Sequence, residues 1–259
     1  MKYCTRCILP ETHETVMFDE YGVCNICRQA EVKHENIDWN ARYLMLKKLV
    51  ETYRDKAQYD CIIPFSGGKD STFQLWYVVN ILKLKPLVVR YNHWGYRPLV
   101  AENNTRVFKK LGVDVLEFTA NWKIVKALML EALRRTGDFC WHCHTGVFAH
   151  TMQIAVRYEI PLIIWGESSS EYRAYHSFEE LEELNEQLFN EIINLGITAD
   201  DMYNYLGGKV DKRDLLPFCF PRKEELERVG VRAIWLGNYI NWNTKEQVAL
   251  IKKELGWKG

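Results

Sequence analysis

The stretch Cys61-Ile62-Ile63-Pro64-Phe65-Ser66-Gly67-Gly68-Lys69-Asp70-Ser71 runs from an apolar segment through two glycines into a helix-like segment. This is the order of a strand, an anion-binding loop and a helix. The two glycines let backbone N–H groups close on a phosphate, and the helix offers the positive end of its dipole. Lys69 adds a charge, Ser66 and Ser71 add hydroxyl donors, and Asp70 is placed to help hold the magnesium ion of a nucleotide. The spacing differs from the GxxxxGK[ST] loop that cradles β and γ phosphates.

On both sides of this loop the chain alternates short apolar runs with helical periodicity. Strands are expected at Cys61 to Phe65, Pro86 to Tyr91, Val113 to Phe118, Leu162 to Trp165 and Ala233 to Leu236, each apolar enough to be buried on both faces. Helices are expected at Thr72 to Leu82, Val100 to Leu111, Ile124 to Arg135, Val147 to Tyr158 and Phe178 to Leu195, the last with Glu179-Glu180-Leu181-Glu182-Glu183 as a solvated face. Such alternation predicts an α/β fold, a doubly wound parallel sheet with ligands at the carboxyl ends of its strands. Arg90-Tyr91-Asn92-His93 and Trp165-Gly166-Glu167-Ser168-Ser169-Ser170 then end strands beside the glycine loop, so that Tyr91 and Gly166 help frame a nucleotide. Two readings stay open for Glu167: a ligand to ribose, metal or nucleophile, or a helix cap or surface carboxylate. His93 is likewise either a site residue or a structural histidine.

The N-terminus carries a second motif. Cys4-x2-Cys7 and Cys24-x2-Cys27, with 16 residues between the pairs, have the spacing of two zinc knuckles whose four thiolates close a tetrahedral, structural shell. Chelation would supply much of the folding free energy of so small a piece. Residues 1–40 therefore read as a zinc-ribbon module and residues 41–259 as the nucleotide-binding domain, with the polar stretch Ala30 to Asn40 connecting to a helix at Tyr43 to Tyr53.

A third set, Cys140-Trp141-His142-Cys143-His144 with the distant Cys219, falls within the alternating core. Three thiolates leave one coordination position open. The alternatives are a [4Fe–4S] cluster with one exposed iron, a zinc completed by His142 or His144, and simple burial. If the three cysteines form one site, it lies beside the nucleotide. Cys61, inside a strand, reads as core.

Composition limits the function classes. The 34 basic and 34 acidic residues cancel, which supplies no general attraction for nucleic acid, and 47% hydrophobic residues suffice for a sizeable core. No apolar run approaches the roughly 20 residues needed to span a bilayer. With no signal peptide before the first cysteines, and with six of eight cysteines in CxxC pairs, the expected location is the cytoplasm.

The run Ser66-Gly67-Gly68-Lys69-Asp70-Ser71 resembles the PP-loop of the N-type ATP pyrophosphatases, which cleave between the α and β phosphates. Cys4-x2-Cys7-Ile8-Leu9-Pro10-Glu11-Thr12, the second knuckle, Asp60 to Ser71, Gly137 to His144 and Leu162 to Glu167 together resemble the N-acetyl sugar amidotransferase family of surface-polysaccharide and flagellar-sugar pathways, over nearly the whole chain. The resemblance implies an ATP-dependent enzyme that converts an acetamido group on a sugar into an acetamidino group, releasing AMP and pyrophosphate. It assigns Ser66, Gly67, Gly68, Lys69, Asp70 and Ser71 to ATP and the four N-terminal cysteines to zinc. It further implies a glutaminase subunit and a cyclase-like barrel that channels ammonia. Members of the family continue beyond this C-terminus. Arg97, Arg173, Lys209, Lys212 and Arg213, in predicted loops, are candidates to meet a nucleotide-sugar diphosphate. The rival is a tRNA thiolase, a PP-loop enzyme that delivers sulfur in place of nitrogen; balanced charge and the CWHCH context weigh against it. A zinc-ribbon scaffold that binds ATP as a regulatory ligand leaves the third cysteine set unexplained.

Overall fold

The computed structural model describes residues 1–12, 16–166, 181 and 183–259. Among these residues, strands β1 (Cys61–Pro64), β2 (Pro86–Asn92), β3 (Asp114–Thr119), β4 (Leu162–Trp165) and β5 (Arg232–Trp235) form one parallel sheet in the order β3-β2-β1-β4-β5. The chain winds outward from β1 to β3, returns to the centre at β4 and leaves in the opposite direction. This is a doubly wound sheet whose switch point lies between β1 and β4.

Side-chain alternation builds a core on each face. Cys61 and Ile63 join Val88, Leu162, Ile164 and Ile234 in one core, and Ile62 joins Leu87, Val89, Ile163 and Trp165 in the other. The first core is closed by α2 (Trp39–Glu51), α3 (Lys69–Asn80), α4 (Pro98–Leu111) and the C-terminal helix α10 (Thr244–Leu255). The second is closed by α6 (Trp141–Arg157), by α7 (Glu186–Leu188) and by the π-helical turn Phe189–Ile193. A third cluster gathers Tyr91, Trp141, Leu215 and Phe218 with α5 (Trp122–Thr136) and α8 (Ala199–Leu206). Helix α9 (Lys223–Val229) leads into β5. No helix among the described residues is long and apolar enough to cross a membrane.

The seat of α6 on β2 depends on one small residue. A Cβ at Gly146 would lie 2.5 Å from Cζ and 2.6 Å from Cε2 of the Tyr91 ring. Tyr91 is itself buried and packed against Phe118 and Phe218, so it has little room to retreat. Gly146→Ala is expected to cost about 1–3 kcal/mol through overpacking, read as a lower denaturation midpoint at unchanged m-value.

Several expectations are corrected. The connection expected across Ala30 to Asn40 is the second half of α1 (Asn25–Glu35) and the first residues of α2, because Asp38 caps α2 from outside, accepting from Asn40 N and Ala41 N at 3.0 Å. α1 packs Cys27 and Ile26 onto a small core of Cys4, Val23 and Cys24, and its Lys33 donates to Trp242 O at 3.1 Å. β3 is not buried on both faces; it is the sheet edge, with Asp114, Val115, Glu117 and Thr119 exposed. α6 begins at Trp141 rather than Val147, which places the third cysteine motif on its first turn. The helix expected over Phe178 to Leu195 is only Glu186–Ile193: Glu183 instead bridges Ile234 of β5 and pairs with Arg232. Residues 178–180 and 182 lie outside the described residues.

Candidate functional site

The loop after β1 ends on Gly68, which begins α3 without any side-chain cap, so the first N–H groups of the helix are left for an acceptor from outside. Gly67 has φ +88°, and a Cβ there would collide with the side chains of Asn104 and Val100, so glycine is required on both backbone and steric grounds. The two serines bond within the loop: Gly67 N donates to Ser71 Oγ at 3.1 Å, Gly68 N to Ser66 Oγ at 3.3 Å, and the two hydroxyls lie 3.2 Å apart. Lys69 Nζ contacts Asp70 Oδ2 at 2.5 Å, while Asp70 Oδ1 is buried with no hydrogen-bond partner. Such an orphaned carboxylate oxygen suits a divalent cation or its water.

The loop opens on a cavity of about 480 Å³ at the carboxyl ends of β1, β2, β4 and β5, over the switch point. Ser66, Asp70, Ser71, Tyr91, Gly166 and Cys143 all line it. Of the expected site residues, Gly67, Gly68 and Lys69 belong to the loop but not to the cavity wall, and Glu167 lies outside the described residues. The wall also holds groups that the sequence patterns did not single out. Tyr96 stacks near His93, with ring centroids 4.6 Å apart, and Phe148 stacks on Trp165 at 4.2 Å with Trp235 beyond it at 5.8 Å. Gln74, on the second turn of α3, donates to Ile164 O of β4 and ties helix to sheet behind Gly166. Trp165 and Trp235 end strands beside the loop; Gln74, Tyr96 and Phe148 carry no signal in the sequence beyond lying in the segments that flank it.

The N-terminal cysteines converge. Among the described residues, Cys4, Cys7, Cys24 and Cys27 form the only group of three or more His, Cys, Asp or Glu residues whose ligand atoms all lie within 4.8 Å of one another. Two sulfur–sulfur separations are 3.9 Å (Cys4–Cys27) and 3.6 Å (Cys7–Cys24). An ideal tetrahedron with Zn–S bonds of about 2.3 Å has edges of roughly 3.8 Å, so the thiols fit that ion. Burial opposes ionisation of Cys4, but N–H groups of Cys7, Cys24 and Arg6 outweigh it and bring the thiol down to about 6. Burial and the neighbouring thiols push Cys24 and Cys27 the other way.

The third set is not assembled in this way. Cys143 faces the cavity; burial, then Cys140 and Asp138, push its thiol up to about 11. Cys140 caps α6 and Cys219 Sγ meets Leu215 O at 3.5 Å; the three thiols do not come within 4.8 Å of one another as a group. The three thiols therefore do not close on a single ion; Cys140 and Cys143 lie at the start of α6, and Cys219 follows the 3-10 turn Lys212–Phe218 that packs beside that helix. Nor do the basic residues meet the cavity. Lys212 pairs with Asp200 at 2.8 Å, Arg213 with Asp211 at 3.0 Å, and Arg97 and Lys209 are exposed elsewhere; Arg173 lies outside the described residues.

Near the cavity, buried His150 stacks on Phe118 with centroids 4.6 Å apart. Burial, reinforced by Arg157, lowers its pKa from 6.5 to about 4. The unfolded imidazole therefore takes up a proton first as pH falls. The contribution to stability is complete above the unfolded pKa and is lost on acidification through the window between 6.5 and about 4. Between pH 7 and pH 5 the loss is expected to be about 2 kcal/mol, and His150→Gln should flatten that slope in denaturant titrations. An unchanged slope in the variant would assign the acid sensitivity elsewhere.

No protein-family model matches the chain. An uncharacterized protein of Methanocaldococcus jannaschii, MJ1599, is 23% identical over 169 residues, covering 63% of this chain and 58% of that protein. The chain thus spans less than two thirds of that relative. Among solved structures, the U34-tRNA thiolase NcsA of Methanococcus maripaludis with its [4Fe-4S] cluster matches all of this chain and 73% of its own at 14% identity, with a TM-score of 0.41. At that level the fold rests on this chain's own strand order and register.

Proposed function

We propose that the chain is a PP-loop ATP pyrophosphatase that adenylates the acetamido oxygen of an N-acetylated sugar, free or nucleotide-linked, and replaces that oxygen with ammonia. The observation that carries the reading is the uncapped glycine loop between β1 and α3, which opens on a cavity at the switch point of the sheet. The residues from Cys4 to Glu167 that resemble the amidotransferase family supply the choice of acceptor.

In this reading the acetamido oxygen attacks the α-phosphorus, the bond to the bridging oxygen breaks and pyrophosphate leaves. Ammonia then adds to the activated carbon, AMP leaves with the former amide oxygen, and a proton is lost to give the acetamidino group. An amide oxygen is a poor leaving group until it becomes a phosphate ester. Gly67, Gly68 and the first turn of α3 bind phosphate oxygens after Ser66 and Ser71 give up their bonds to the loop. Lys69 lies where charge builds on the departing pyrophosphate. Asp70, through its unpartnered Oδ1, would hold a magnesium ion, which would supply Lewis-acid stabilisation of that charge. The aromatic wall of Phe148, Trp165 and Trp235 and the His93–Tyr96 pair exclude water from the adenylate. The four N-terminal thiols would hold a zinc ion in a structural role. Ammonia comes from a glutaminase subunit through a cyclase-like partner.

A second reading, sulfur transfer by a thiolase-like enzyme, is favoured by one observation: the Cys143 thiol on the cavity wall. The protein with ATP, magnesium, ammonium and an N-acetylated sugar is expected to form AMP and pyrophosphate in step with an acetamidino product. Release of ADP would refute α–β cleavage, and AMP formation that depends on sulfide but not on ammonium would move the assignment to sulfur transfer.

A further inference from the structure

The end of the chain reaches the phosphate loop from behind. After α10 the backbone turns at Gly256, with φ +66°, and Trp257 Nε1 donates to the carbonyl oxygen of Gly67 at 3.3 Å. The segment is pinned to α4 on the way. Asn103 Oδ1 accepts from Lys258 N at 3.0 Å while its Nδ2 donates to Lys258 O at 2.6 Å. Arg106 Nη1 donates to Gly256 O and to Asn103 Oδ1, both at 2.9 Å, and Lys110 Nζ donates to Glu254 O at 3.0 Å. Asn103 is 2% exposed, so these bonds are shielded from competing water. Asn104, equally buried, presses its side chain into the space where a Gly67 Cβ would sit.

The consequence follows from peptide planarity. The Gly67 carbonyl and the Gly68 N–H belong to one trans peptide unit and point in opposite directions. A donor that fixes the carbonyl from behind therefore aims the Gly68 N–H into the loop. That N–H now meets Ser66 Oγ, the hydroxyl an arriving phosphate oxygen would replace. We propose that Trp257 is a positioning residue for phosphate binding: its indole N–H, anchored by the clasp of Asn103 and Arg106, orients the Gly67–Gly68 peptide toward the nucleotide. This rests on the nucleotide reading of the loop.

The test is Trp257→Phe in the full chain, which keeps an aromatic ring against the core and removes the donor together with part of the indole's bulk. Titration calorimetry with ATP and magnesium is expected to show about fivefold weaker binding, the size of one net hydrogen bond. The nucleotide-free melting temperature should move by no more than about 3 °C. Hydrogen exchange at the Gly68 amide in the nucleotide-free protein should accelerate. Asn103→Ala, which releases the segment but keeps the indole, should shift binding in the same direction and covers the case in which Trp257→Phe does not fold. Unchanged ATP affinity in both variants overturns the proposal. If the wild type binds no ATP, the nucleotide reading fails by itself; faster Gly68 exchange in Trp257→Phe would then still support the clasp as the device that orients the loop, and unchanged exchange would remove it too.

Discussion

Lys69→Ala is expected to abolish AMP and pyrophosphate formation, by at least about a hundredfold, while the far-UV spectrum and melting temperature stay near those of the wild type. The Lys69 side chain is 41% exposed and pairs with Asp70 Oδ2, and it belongs to none of the hydrophobic core clusters. What it removes is a cation on the first turn of α3, where charge would develop as pyrophosphate departs under the proposed chemistry. Asp70→Ala should match it in effect and should also abolish the magnesium dependence of ATP binding, because the buried, unpartnered Oδ1 is the oxygen offered to the ion. Wild-type rates in either variant would exclude the loop from catalysis. A variant that keeps ATP affinity but loses turnover would place Lys69 in the transition state rather than in binding.

The second large effect is expected at the N-terminal thiols. Cys24 is fully buried and central to its shell: its Sγ lies 3.6 Å from Cys7 Sγ, accepts from Cys27 N at 3.4 Å, and its own N–H donates to Cys4 Sγ at 3.2 Å. Cys24→Ser replaces a thiolate with a poorer ligand at the least adaptable position. The variant should lose its zinc and, with it, the order of the segment around Val23 and Phe18, whose core is too small to persist alone. Apparent zinc binding of about 10 kcal/mol or more is available to be lost, so the transition should be visible in both metal analysis and thermal unfolding. A strong chelator applied to the wild type should reproduce it. Unchanged zinc content in Cys24→Ser would show that the ligands are wrongly assigned.

The legible part of this protein is local in the chain. The glycine loop, the four knuckle cysteines and the apolar runs of β1, β2 and β4 each encode their conformation within a few residues, through backbone freedom at Gly67, chelate spacing or two-sided burial. The start of α6 is not legible in the sequence, because Cys140-Trp141-His142-Cys143-His144 reads as metal-ligand chemistry, whereas Trp141 and His142 are buried helical residues. The edge position of β3 could not be read either, since a strand between two helices has the same pattern at the centre of a sheet as at its margin until its neighbours are known.

Residue types and spacing alone determined that a glycine loop follows a buried strand and that four thiols can close on one ion. Only the tertiary structure decided that Tyr91, Cys143, Gly166 and Trp235 share one cavity, that the thiols of Cys140, Cys143 and Cys219 are not drawn within 4.8 Å of one another, and that Trp257 holds the carbonyl of Gly67 from 190 residues away. The physical reason is the range of the forces. Backbone dihedrals and chelation act between near neighbours in the chain. Packing and side-chain hydrogen bonds act between neighbours in space, and those are chosen by the winding of the sheet.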